Sequence, residues 1–287
     1  MIGKIVKQIS NDYTVKIDNN LYTCKARGKF KYDGITPLVG DNALIDPDNK
    51  LILEILPRIN ELIRPSIANI DQAVIVMSNK IPEFSLDLLD KLLCIIEYNN
   101  IKPIIYVSKT DLLDSDELDM LEEVLNYYRN IGYKVYADLS IKEVFKDKVT
   151  VFVGQSGAGK STLLNKLDSN LSLITGEVST ALGRGRHTTR HVELINTLEG
   201  LIADTPGFSK ISFIGMSKED IRDNFIEFNK YRDECKYKDC MHDKEDECEI
   251  KKEVNNSNIL ISRYQNYLKY IKEVSGGSKW FQHPYCL

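Results

Sequence analysis

The stretch that decides the fold is Gly154-Gln155-Ser156-Gly157-Ala158-Gly159-Lys160-Ser161, which fits G-x-x-x-x-G-K-[ST] at every fixed position. It follows the apolar, β-branched run 149–153 and opens the helical pattern 161–167, so strand, loop and helix stand in the order the motif needs. Glycines let consecutive backbone N–H groups turn inward on a phosphate chain, and the helix N-terminus adds the positive end of a dipole. Lys160 then reaches the β- and γ-phosphates and the Ser161 hydroxyl ligates Mg²⁺. Gly154, Gln155, Ser156, Gly157, Ala158, Gly159, Lys160, Ser161 and Thr162 are the candidate phosphate-binding residues.

Outward from this loop, short Val- and Ile-rich runs at 73–77, 103–107 and 149–153 read as strands covered on both faces. Leu86, Leu89, Leu92, Leu93 and Ile96 share one helical side, as do Leu118, Leu121, Val124, Leu125 and Tyr128, with Ser115 as N-cap and Gly132 as stop. Such alternation predicts a mostly parallel α/β sheet. Before it, residues 2–9, 13–17, 21–32, 43–46 and 51–56 read as five short strands parted by turn-formers, the strand count of an oligonucleotide-binding (OB) barrel. After Met216 the strands stop: Ser217 with Asp220 forms a capping box, and a last helix carries Ile259, Tyr264, Tyr267, Leu268 and Ile271. The predicted segments are 1–60, an OB-type all-β barrel; 61–215, a central α/β P-loop domain; and 216–287, a mainly α, zinc-binding domain.

Two further motifs bear on the nucleotide. Ser108-Lys109-Thr110-Asp111, just after the strand 103–107, resembles the Asn-Lys-x-Asp guanine motif of regulatory GTPases, with Ser108 in place of the usual asparagine. That resemblance implies an aspartate accepting hydrogen bonds from both guanine N–H groups and a lysine stem packed over the ring. Asp204-Thr205-Pro206-Gly207 follows the apolar run 201–203, placing Asp204 to hold Mg²⁺ and the Gly207 N–H to meet the γ-phosphate. The order base motif, P-loop, Asp-x-x-Gly is permuted relative to most GTPases. Adjacent strand ends, not sequence order, build such a site, and close-lying domain termini make a circular permutation tolerable.

Cys235-x4-Cys240-x-His242-x5-Cys248 supplies three thiols and an imidazole within 14 residues. That donor set suits tetrahedral Zn²⁺ in a closed structural site, with a redox switch or unpaired thiols as alternatives. A barrel, a permuted GTPase domain and this cluster together resemble the small ribosomal subunit biogenesis GTPase family of RsgA type, from Met1 to about Val274. The resemblance implies hydrolysis of GTP to GDP, stimulated by the small ribosomal subunit, late in that subunit's maturation. It also implies a first switch in Gly183-Arg184-Gly185-Arg186-His187-Thr188-Thr189-Arg190, with His187 as catalytic residue and Thr189 closing on the γ-phosphate. A basic loop on RNA phosphates is the alternative for that segment. The residue after Gly207 is Phe208, which cannot hydrogen-bond a water.

Lys25, Arg27, Lys29 and Lys31 alternate with uncharged residues, so on a strand all would share one face able to track an RNA backbone; a solvated edge strand is the alternative. Across 287 residues, 38 Lys and Arg stand against 42 Asp and Glu, a net charge of −4 that excludes coating nucleic acid by bulk charge. No apolar run approaches the roughly 18 residues of a membrane span, and clustered cysteines beside a histidine point to the reducing cytoplasm. The expectation is a cytoplasmic, monomeric GTPase with Zn²⁺ and Mg²⁺, partnering GTP, GDP and the small subunit's rRNA. An RNA-binding scaffold with a mainly structural nucleotide is the second reading, and a P-loop ATPase or kinase the third.

Overall fold

Alternating burial builds the first strands: in Asp12–Ile17, Tyr13 and Val15 point inward while their neighbours face out. The computed structural model describes residues 1–63, 66–171, 192–204 and 212–276, with the backbone alone at 31 and 204. Its elements in chain order are β1 (Ile2–Ile9), β2 (Asp12–Ile17), β3 (Asn20–Ala26), α1 (Gly28–Tyr32), β4 (Asn42–Asp46), β5 (Leu51–Ile55), β6 (Glu61–Leu62) and β7 (Ile67–Ala68). There follow β8 (Gln72–Ser78), α2 (Leu86–Tyr98), β9 (Lys102–Ser108), α3 (Ser115–Asn130), β10 (Lys134–Tyr136), β11 (Val149–Val153) and α4 (Lys160–Leu167). The last are β12 (Glu193–Thr197), β13 (Gly200–Asp204), α5 (Lys218–Asp223), α6 (Glu249–Asn255) and α7 (Ile261–Gly276).

The described chain divides into two compact units. The first holds the described residues within 1–83, 99–113 and 135–209; the second holds those within 84–98, 114–134 and 210–287. In the first unit, β1, β2, β3, β5 and β4 pair in that order and β4 returns to β1, closing a five-stranded barrel. The α/β sheet runs β10-β9-β8-β11-β13-β12, with β9, β8, β11 and β13 mutually parallel and β12 antiparallel to β13. β8 and β11 are buried along their whole length, with the polar Gln72 donating to Thr150 at 2.9 Å within that Val- and Ile-rich layer. Barrel and sheet are continuous through β1 and β12, where Lys7 faces Glu193 and forms a 2.7 Å ion pair. Between them, fully buried Asp41 accepts hydrogen bonds from Leu38 N–H and Arg58, at 2.7 Å from Nε, which anchors the connecting segment on the barrel.

The strand expected over 21–32 is corrected: β3 ends at Ala26 and residues 28–32 form a helical turn. Phe30 is buried, Asp33 N–H bonds to the Lys29 carbonyl and Ile35 N–H to that of Phe30. Five residues are too few for period two to outweigh one buried aromatic anchor. Lys25 therefore sits on β3, Arg27 at the helix N-cap and Lys29 and Lys31 on α1, so the four cations do not form one strand face. The α3 cap is also corrected. It is Asp114, whose carboxylate accepts the Glu117 N–H in a capping box, one residue before Ser115. The box at Ser217 and Asp220 is present.

The second unit gathers α2 and α3, whose sequences lie between sheet strands, with α5, α6 and α7 around Phe225, Phe228, Tyr267 and Tyr270. A charged knot lies inside it. Arg263 of α7, 1% exposed, donates to Asp90 of α2 at 2.7 Å and grips Glu227 through Nε and Nη2. Tyr128 of α3 and Asn266 complete the Asp90 shell at 2.6 and 2.7 Å. Removing one partner of such a buried set leaves charge without compensation. Replacing Arg263 by Met is expected to cost about 3–5 kcal/mol of stability, measured by chemical denaturation, whereas the exposed Lys269–Asp87 pair should cost under about 1 kcal/mol.

Candidate nucleotide site and metal centre

The carboxyl end of β11 delivers the phosphate loop. Gly154 has φ +134° and a Cβ there would stand 2.3 Å from the Val76 carbonyl oxygen, so no side chain fits where the loop crosses β8. Gly159, at φ +96°, caps α4 and lies against Ser108. Lys160 is buried, and its ammonium donates to the carbonyls of Gly154 at 2.8 Å and Gln155 at 2.7 Å. Burial lowers its pKa to about 8, a penalty on the charged form that a phosphate would offset. Ser161 is buried in the first turn of α4, and Thr162 next to it is exposed.

The base motif leaves the same edge. Ser108 ends β9 level with Ser78, the end of β8, and β8 is the strand between β9 and β11. Lys109 takes a left-handed conformation at φ 59°, turning the chain into the short helical turn Thr110–Leu112 that presents Asp111 to solvent. Ser108 Oγ donates to the Ala158 carbonyl at 2.6 Å, and Lys109 Nζ donates to the Gly157 carbonyl at 2.9 Å and to that of Ile81. Base loop and phosphate loop are thus stitched together although 50 residues separate Ser108 from Ala158. Asp204 ends β13, which is paired with β11, so its backbone reaches the same edge. The residues that fit Mg²⁺ there are Ser161, by its hydroxyl, and Asp204, by its position. Gly207, His187, Thr189, the arginines of 184–190 and Phe208 lie outside the described residues.

Sequence reading missed Asn79, directly after β8. It is 9% exposed and its Nδ2 donates to the Ser108 carbonyl at 3.1 Å. Nothing local marks it, since its partner belongs to a neighbouring parallel strand.

In the second unit Cys235, Cys240, His242 and Cys248 come together, their donor atoms all within 4.8 Å of one another. His242 Nδ1 lies 3.3 Å from Cys248 Sγ and 3.7 Å from Cys235 Sγ. A tetrahedral zinc with bonds of about 2.0–2.3 Å has donor–donor edges of roughly 3.3–3.8 Å, so the cluster fits that ion. Burial raises the Cys240 and Cys248 thiol pKa values, so the thiolates need a cation to balance them. The loop is held from α7, where the Tyr264 hydroxyl donates to the His242 carbonyl at 2.6 Å and Tyr267 to that of Met241. Glu245 receives the Met241 and Asp243 N–H groups.

Comparison with known proteins agrees with this geometry. The family model for the RsgA GTPase matches residues 55–214, and that for the RsgA N-terminal domain matches residues 2–51. The chain is 48% identical over 281 residues to the small ribosomal subunit biogenesis GTPase RsgA of Enterococcus faecalis, covering 95% of each. It belongs to the RsgA GTPase family. A second RsgA relative, from Oceanobacillus iheyensis, is 47% identical over 283 residues, covering 95% of this chain and 97% of its own. Among solved structures, YloQ, described as a circularly permuted GTPase, aligns with TM-score 0.83 at 38% identity over 98% of this chain and 96% of its own. YjeQ from Thermotoga maritima aligns with TM-score 0.84 at 32% identity, covering 96% of this chain and 98% of its own. The RsgA-type order is the permuted one read from the motifs, and the chain is a GTP hydrolase. Among the described residues no helix is long and apolar enough to cross a membrane.

Metal analysis of the purified protein should find one zinc per chain. Stripping it with a strong chelator should speed protease cleavage within 235–248 by more than about tenfold, because ligation joins the hydrogen bonds from α7 in fixing this charged loop. An unchanged cleavage rate would assign the cluster no structural metal.

Proposed function

We propose that the chain binds GTP and GDP with guanine at Asp111 and the phosphates in the 154–162 loop, and that it hydrolyses GTP while bound to the maturing small ribosomal subunit. The observation that carries this is the Ser108–Ala158 hydrogen bond, which sets a base-reading loop and a phosphate loop a fixed span apart on one sheet edge. The relatives named for small-subunit biogenesis supply the partner. The functional division is 1–60 for RNA, 61–215 for the nucleotide and 216–287 for zinc and further rRNA contact. The protein works as a cytoplasmic monomer, and Ser161 and Asp204 would hold Mg²⁺, which would neutralise charge on the bound triphosphate.

Hydrolysis then needs three things from this chain. Lys160 meets the β- and γ-phosphates, Thr189 and the Gly207 N–H close on the γ-phosphate, and His187 holds the attacking water that Phe208 cannot. With no glutamine at 208, turnover of the free protein is slow and the subunit accelerates it. The RNA contribution of Lys25, Arg27, Lys29 and Lys31 comes from the end of β3 and the α1 turn, beside exposed Tyr32. That affinity falls as salt rises.

Competition binding should rank GTP and GDP together and far above ATP. Turnover should rise at least about tenfold on adding small subunits, and His187→Ala should remove most of that gain while leaving GTP binding nearly intact. Stimulated rates equal in variant and parent would take His187 out of the mechanism. Turnover indifferent to small subunits would favour the scaffold reading.

A further inference from the structure

We propose that Asn79 is a positioning residue for guanine recognition, its amide holding from β8's end the loop in which Ser108 replaces the usual asparagine. An asparagine at 108 carries a carboxamide with two N–H donors, whereas serine has a single hydroxyl donor. Ser108 uses that donor on the Ala158 carbonyl at 2.6 Å. The Ser108 carbonyl is in turn held by Asn79 Nδ2 at 3.1 Å, with the Asn79 side chain buried. One residue further on, the left-handed turn at Lys109 swings the chain towards Asp111. The carbonyl that Asn79 holds therefore lies three residues before the one that reads the base, at the root of that turn.

The surrounding contacts support that role. The turn after β8 touches both loops: the Ile81 carbonyl accepts Lys109 Nζ, and Pro82 Cδ lies 3.7 Å from the Cβ position of Gly157. β8 lies between β9 and β11, so a side chain leaving its carboxyl end is placed to tie the two loops. Asp111 itself is exposed, and its aim depends on the loop beneath it. Loss of the Asn79 donor slackens that loop and weakens contacts to the base more than contacts to phosphate. The role depends on guanine lying at Asp111, as proposed above.

The test compares GDP with IDP, which lacks the exocyclic amine, on the full-length protein. In the parent, GDP binds tighter than IDP because both N–H groups reach Asp111. Asn79→Ala is expected to weaken GDP about five- to tenfold, the worth of one hydrogen bond, and IDP by less, so that the GDP/IDP preference shrinks. If the alanine variant fails to fold, Asn79→Asp keeps the volume while its carboxylate cannot donate, and the same loss of preference is expected. An unchanged GDP/IDP ratio in the variant that folds, including equal weakening of both ligands, would overturn the role. A parent that binds ADP as tightly as GDP would instead remove the guanine assignment itself.

Discussion

The nucleotide site depends on the lateral register of three parallel strands. With Ser78 paired to Ser108, and Val153 paired to Ile75, the ends of β9, β8 and β11 open on one edge, whatever order the chain visits them. The hydrogen bond from Ser108 to Ala158 then sets the span between base loop and phosphate loop. Circular permutation leaves this untouched, because it changes connections between strands and not the strands' neighbours. The close crossing of Gly154 over Val76 is a second expression of the same constraint: the loop must lie on β8, and only glycine allows it.

Within the first unit, further contacts fasten that edge to the barrel. In the first unit, β12 joins the sheet to barrel strand β1, while Asp41 and Arg58 hold the connecting segment. The barrel is thus built into the same sheet as the phosphate loop. In the second unit, a metal-ligand loop is read by Tyr264 and Tyr267 of α7, and α7 is locked to α2 by Arg263 and Asp90. Buried charge of this kind adds little net stability over an apolar replacement, yet it penalises every arrangement in which one partner is missing.

What could be read from the sequence was what lies close in sequence. The phosphate loop, the Cys/His cluster, the Val- and Ile-rich strands and the capping box at Ser217 each declare themselves within about a dozen residues. What failed was decided by contacts between distant segments or by too short a window. Residues 28–32 alternate like a strand but turn as a helix around Phe30. Asp114 and Ser115 are both good caps, and only the backbone geometry separates them. Helix α6 lies in a charged stretch with little apolar period, and Ile250 alone of its apolar residues is fully buried. Asn79 is silent because its partner is on another strand, and the grouping of α2 with α7 rests on a contact across 173 residues.

The most direct measurement is a crystal structure of the protein with GDP. The expected result is guanine with both N–H groups on the Asp111 carboxylate, its β-phosphate wrapped by the backbone of 154–162 and contacted by Lys160. A base lying away from Asp111, or a diphosphate outside that loop, would contradict the single pocket formed by these two loops on one sheet edge.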